Sequence, residues 1–145
     1  MFVVDTNILA YAAHDRAAEH AACRSRLSNW TRSPGAWYLT WGIAYEFLRL
    51  ATHPKIFSRP LSARQAWSFI EAVLASPGAG LLTPGDRHAA VLCSVLDEIP
   101  LLAGNIMHDV ETVVLMREHG IRRIYTRDTH FHRFSFIETV DPLSE

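Results

Sequence analysis

Met1, Phe2, Val3, Val4, Asp5, Thr6 and Asn7 open the chain as MFVVDTN, and the reading of these residues decides the fold. Phe2, Val3 and Val4 are apolar without alternation, the pattern of a short strand buried on both faces, as central parallel strands are. The run ends in a carboxylate. Asp5 stands where the strand leaves the sheet, and Thr6 and Asn7 open an apolar helical segment over residues 8–13, with Asn7 placed as its N-cap. Ligands of open α/β sheets bind at that carboxyl edge. A chemical role for Asp5 therefore predicts further acids reaching the same edge from distant segments.

Outward from this stretch, strand and helix alternate. Residues 19–30 read as a helix stopped by Ser33, Pro34 and Gly35. Trp37, Tyr38 and Leu39 give residues 36–41 strand composition, and a helix follows from Ile43 to about Thr52, ended by Pro54. After a loop over 54–60, Ser62 is placed to cap a helix over 63–75. Leu81 and Leu82 form a very short strand, and Pro84 and Gly85 turn into a helix over 87–96. Ile106, Val110, Val113, Val114 and Met116 mark the strongest helical pattern, with Gly120 as its stop. Residues 122–125 read as a strand, 126–134 as a loop and 135–137 as an edge strand. The alternation predicts one domain over 1–145, an α/β/α sandwich with a mostly parallel sheet of about five strands and right-handed crossovers.

Composition fits that class. The chain has 145 residues, 49% hydrophobic and 20% charged, enough for a sizeable core and unlike a disordered segment. No apolar run approaches the roughly 18 residues of a membrane helix, and no secretory leader opens the chain, so a cytoplasmic location is expected. Cys23 and Cys93 lie in separate helical segments outside any CxxC pattern and read as buried free thiols. The formal net charge of -1 gives no global attraction for nucleic acid, so such binding needs a local patch.

Three further acids look out of place. Glu46 has Ile43, Phe47 and Leu50 on its side of the helix, which puts it on the apolar face and calls for a cation. Asp109 shares a face with Val113 and Met116, near a helix N-terminus that favours negative charge. Asp128 follows the strand at 122–125 as Asp5 follows the first. Any one of these reads most simply as a cap, a turn former or half of a salt bridge. Together they form a group that repels itself unless a divalent cation shares it or one member holds a proton. Oxygen donors from Asp and Glu suit Mg2+ or Mn2+.

Asp5-Thr6-Asn7 after the first strand, Glu46 in AYEFLR, Asp109 in GNIMHDVETVVLMREHGI and Asp128 in IYTRDTHFHRF resemble the PIN-domain ribonucleases, more narrowly the VapC-type toxins of bacterial toxin–antitoxin pairs. The resemblance runs nearly the whole chain and is most specific over 105–134. It implies a five-stranded parallel sheet between helices, a homodimer, Mg2+- or Mn2+-dependent endonucleolytic cleavage of structured RNA, inhibition of translation, and a cognate antitoxin that blocks the site. The implied acidic quartet is Asp5, Glu46, Asp109 and Asp128, serving as metal ligands, with Thr126 and Asn7 hydrogen-bonded behind them. One departure stands out. Many relatives carry another acid two residues after the last Asp, and here that place is His130.

Around the acids, Arg122, Arg123, Arg127 and Arg133 bracket Asp128, and Arg49, Lys55 and Arg59 follow Glu46. A basic rim is feasible, with Arg49, Arg127 and Arg133 as candidates for RNA contact. Trp37 and Trp41 read as core or interface before base-stacking surfaces. Two other classes compete with a nuclease. A receiver-type phosphoacceptor domain needs a second acid near Asp5 and an opposing lysine, whereas the chain has Asn7 and a single lysine, Lys55, in a loop. A non-catalytic RNA-binding or adaptor module on the same fold does not require all four acids.

Overall fold

The opening strand lies in the middle of the sheet. In the computed structural model, which describes residues 1–144, five strands pair in parallel in the order β3-β2-β1-β4-β5: β1 (Phe2–Val4), β2 (Trp37–Thr40), β3 (Ala79–Leu82), β4 (Arg123–Tyr125) and β5 (Glu138–Val140). The register sets Val3 opposite Tyr38 on one side and Val4 opposite Tyr125 on the other. Val3 and Val4 point to opposite faces of the sheet, and both are fully buried, so helices cover it on both sides as the non-alternating run predicts.

Six α-helices connect these strands among the described residues: α1 (Thr6–Ala13), α2 (His20–Arg32), α3 (Trp41–Ala51), α4 (Ala63–Leu74), α5 (His88–Glu98) and α6 (Ile106–Glu118). The core joins Ile8 and Leu9 of α1, Leu39, Phe47, Ile124 and the segment Val113 to Met116 of α6. That segment is buried residue after residue, Leu115 included, so the second half of α6 is enclosed nearly all round instead of showing one apolar stripe. Ser62 caps α4 with the reciprocal bond from Gln65, as its position predicts.

Several boundaries differ from expectation. The N-cap of α1 is Asp5 itself, whose Oδ1 accepts the Thr6 N–H at 2.7 Å, and Asn7 already lies inside the helix. Thr40 ends β2 and caps α3, accepting the Ile43 N–H, so Trp41 begins a helix instead of ending a strand. The edge strand lies at Glu138–Val140 and not over 135–137. The Ile137 N–H is spent on a turn to the Phe134 carbonyl, and pairing with Arg122 begins only at the Glu138 N–H. The stretch after β4 holds a 3-10 turn, Thr129–Arg133, capped by Asp128. Cys23 is buried, but Cys93 is exposed on α5, because only Val95 of that helix is fully enclosed. Trp37 is core, whereas Trp41 is 42% exposed.

The topology fixes where chemistry can occur. From β1 the chain winds through β2 to β3 on one side and returns through β4 to β5 on the other, so the connection reverses beside β1. At such a reversal the segments leaving neighbouring strands diverge and leave a crevice at the carboxyl edge.

Candidate active site

Asp5 occupies that crevice. It is 8% exposed, and its carboxylate is held on every side by donors from its own chain. Oδ1 accepts the Thr6 N–H at 2.7 Å, while Oδ2 accepts the Asn7 amide at 2.7 Å and the Thr126 hydroxyl at 2.6 Å. Thr126 follows β4 directly, and its oxygen also accepts the Asn7 amide at 3.1 Å and the Asp128 N–H at 2.9 Å. A threonine hydroxyl thus ties the end of the central strand to the loop that carries Asp128. Asn7 completes the link by accepting the Arg127 N–H at 3.3 Å.

Asp109 enters from the first turn of α6, and His130 Nδ1 stands 3.5 Å from both Asp109 Oδ2 and Asp128 Oδ1. Burial pushes the Asp5 carboxyl up to about 6. The bonds from Thr126 and Thr6 pull against this, and the charges of Asp109 and Asp128 add to it. Asp109 is raised as well, by burial first and then by Asp128, with His130 opposing. Among the described residues no arginine or lysine pairs with Asp5, Asp109 or Asp128. The three carboxylates repel one another in a partly dry place, and ligand atoms of Asp109, Asp128 and His130 all lie within 4.8 Å of one another, a donor set that suits a divalent ion.

Glu46 joins them differently. It lines the same cleft of about 690 Å3, but its side chain is 39% exposed, so it is not the buried acid its helical position predicts. Its cation is Arg49, one turn along α3, bonded to both carboxylate oxygens at 2.8 and 2.6 Å. The quartet therefore meets at one cleft, with three members lacking an arginine or lysine partner and one already neutralised.

The expected basic rim is not gathered there. Arg127 points away to Glu19 at 2.8 Å and Asp141 at 3.3 Å, Arg122 pairs with Glu138 at 3.3 Å, and Arg133 is exposed and does not line the cleft. Among the described residues Arg49 is the one arginine on the wall. The sequence reading missed Tyr45, Asn105 and Thr112 as lining residues, which line the cleft together with His108. Their signal was present in part, because Asn105, His108 and Thr112 lie four, one and three positions from Asp109, and two of those offsets share its face.

Comparison with known proteins places this arrangement. No family model matches the chain. Two curated relatives from Mycobacterium tuberculosis do match over essentially their whole lengths. Ribonuclease VapC48 is 31% identical over 97% of this chain and 96% of its own, and ribonuclease VapC33 is 32% identical over 100% of each. The chain belongs to the VapC family of ribonucleases. Solved VapC structures share its fold. The M. tuberculosis VapC20, described as a sarcin–ricin loop cleaving toxin, superposes with a TM-score of 0.65 at 17% identity over 95% of this chain and 98% of its own. VapBC-1 of nontypeable Haemophilus influenzae gives 0.66 at 16% identity over 98% of each.

Proposed function

We propose that this chain is a metal-dependent endoribonuclease that cleaves structured RNA, acting as the toxin of a cytoplasmic toxin–antitoxin pair and inhibiting translation. Membership of the VapC family supports the reaction class. The observation that carries the assignment to particular residues is the meeting of Asp5, Asp109 and Asp128, from three distant segments, in one cleft without an arginine or lysine partner. The ion would be Mg2+ or Mn2+, held by Asp5, Asp109 and Asp128 with Glu46 at the rim. When bound, it supplies positive charge beside the scissile phosphate and makes an attacking water more acidic.

The remaining work belongs to the chain's own groups. Thr126 and Asn7 hold Asp5 in a single orientation, so the carboxylate is set before substrate arrives. Arg49 holds Glu46 by both carboxylate oxygens at the cleft wall. Water attack on the phosphodiester leaves 5′-phosphate and 3′-hydroxyl ends. We further assign residues 1–145 to one nuclease unit that works as a homodimer, and its partner is a cognate antitoxin that covers the cleft. Complexes of fold neighbours such as VapBC-1 support an antitoxin partner.

The test is Asp5→Asn. Cleavage of total cellular RNA, read by sequencing of RNA ends after brief expression, should fall at least about a hundredfold with either ion supplied. Cleavage that persists in the variant overturns the assignment.

A further inference from the structure

His130 closes a triangle with two carboxylates from different segments. Nδ1 is 3.5 Å from Asp109 Oδ2 and 3.5 Å from Asp128 Oδ1, longer than an N–H···O hydrogen bond in both directions. The ring is shared between the two acids at equal distance. Its backbone is committed, because the His130 N–H donates to Asp128 Oδ1 at 2.8 Å and the Asp128 N–H donates to Thr126 at 2.9 Å. The imidazole is therefore carried on a turn bound into the network that fixes Asp5.

Donor atoms that share one ion at about 2.1 Å stand about 3.0 to 3.4 Å apart for octahedral or tetrahedral angles. The two separations of 3.5 Å lie a small contraction away from that spacing. A hard ion such as Mg2+ takes oxygen and releases water reluctantly, whereas imidazole suits borderline transition ions, whose affinities rise from Mn2+ towards Ni2+. An oxygen-only cage discriminates less between these ions than one that includes a nitrogen.

We propose that His130 ligates the ion held by Asp109 and Asp128, and that its nitrogen makes this site select a divalent transition ion, Mn2+ over Mg2+. The inference rests on the reading of the cleft as a cation site and deepens it by naming the ion class and the residue that sets it. The rival arrangement is a protonated imidazole that neutralises the two acids in place of a metal.

Calorimetric titration of Mg2+, Mn2+ and Co2+ into wild type, His130→Ala, His130→Asp and Asp128→Asn at pH 8 separates the two. Mn2+ and Co2+ affinity should fall about tenfold or more in His130→Ala, while Mg2+ affinity changes by less than about threefold. His130→Asp should narrow the preference for Co2+ over Mg2+. Cobalt-loaded wild type should show a paramagnetically shifted imidazole N–H resonance that His130→Ala lacks. The side chain is 57% exposed, so truncation leaves the core intact, and thermal melts of each variant check this. Unchanged Mn2+ and Co2+ affinity in His130→Ala, an equal loss for all three ions, or no shifted resonance overturns the proposal. If wild type binds ions and Asp128→Asn does not, such a result leaves the cation site standing. Wild type that binds no divalent ion overturns both.

Discussion

Asp5 shows how a single side chain that caps a helix and stands innermost in the cleft carries a cost to stability. As the N-cap of α1 it satisfies a helix N–H, and as the innermost acid of the cleft it is kept from water. In the metal-free protein its pKa rises from 3.8 to about 6, so the folded state binds this proton more tightly than the unfolded chain. The sign follows by linkage. The penalty is absent below pH 4, grows as pH rises towards 6 and is complete above it, with an upper size of about 3 kcal/mol. Urea denaturation in EDTA should therefore find that Asp5→Asn gains stability relative to wild type between pH 4 and pH 8. The gain is offset in part because one new N–H faces the Asn7 amide. A difference that stays flat across this range removes the carboxylate strain from the account. The sequence made Asp5 legible because a lone acid after an all-apolar run is conspicuous. It did not make Arg49 legible as the partner of Glu46, since offsets on a helix state which residues are neighbours and not which of them reach out to bond.

At the scale of elements, short strands and caps decide the placement of the acids. α6 brings Asp109 to the cleft with its first turn and must stop sharply for β4 to begin beside β1. Gly120 provides the stop. Its φ is +68°, the Gly120 N–H reaches the Arg117 carbonyl at 3.2 Å, and the Ile121 N–H reaches the Met116 carbonyl at 2.8 Å, closing the left-handed turn that ends many helices. Gly120→Ala meets no neighbouring atom within 4 Å, so its cost is backbone strain alone. It should lower stability by about 1 to 2 kcal/mol while cleavage by the folded fraction stays unchanged, as urea melts and initial rates will show. This stop could be read from the sequence, as could the order of strands and helices and the cap at Ser62. The edge strand could not, because Ser135, Phe136 and Ile137 have the composition of a strand. What excludes them is one N–H spent on a turn, and Phe136 is packed instead under the guanidinium groups of Arg117 and Arg122. Composition reports what a strand tolerates, and hydrogen-bond accounting decides where pairing starts.

For the whole molecule, the cleft joins parts of the chain that are far apart in sequence, with Asp5 from the junction of β1 and α1, Glu46 from α3, and Asp109 and Asp128 from the last third. An ion bound among them links these parts in the folded state and has no comparable site in the unfolded chain, so its binding free energy adds to stability. At a free ion concentration of 100 times its dissociation constant the gain is about 2.7 kcal/mol, which for a chain of this length raises the melting temperature by about 5 to 10 °C. Protons compete for the same oxygens. Because Asp5 and Asp109 both titrate above their ordinary range, the gain from Mn2+ should be full at pH 8 and shrink as pH falls through 6. Thermal melts with and without Mn2+ at pH 8 and pH 5.5 check this, with Asp128→Asn as the control whose shift is small at both. Equal shifts for wild type and Asp128→Asn would mean that the ion binds elsewhere on the surface, and the convergence of acids at the reversal beside β1 would then lack the ligand that explains it.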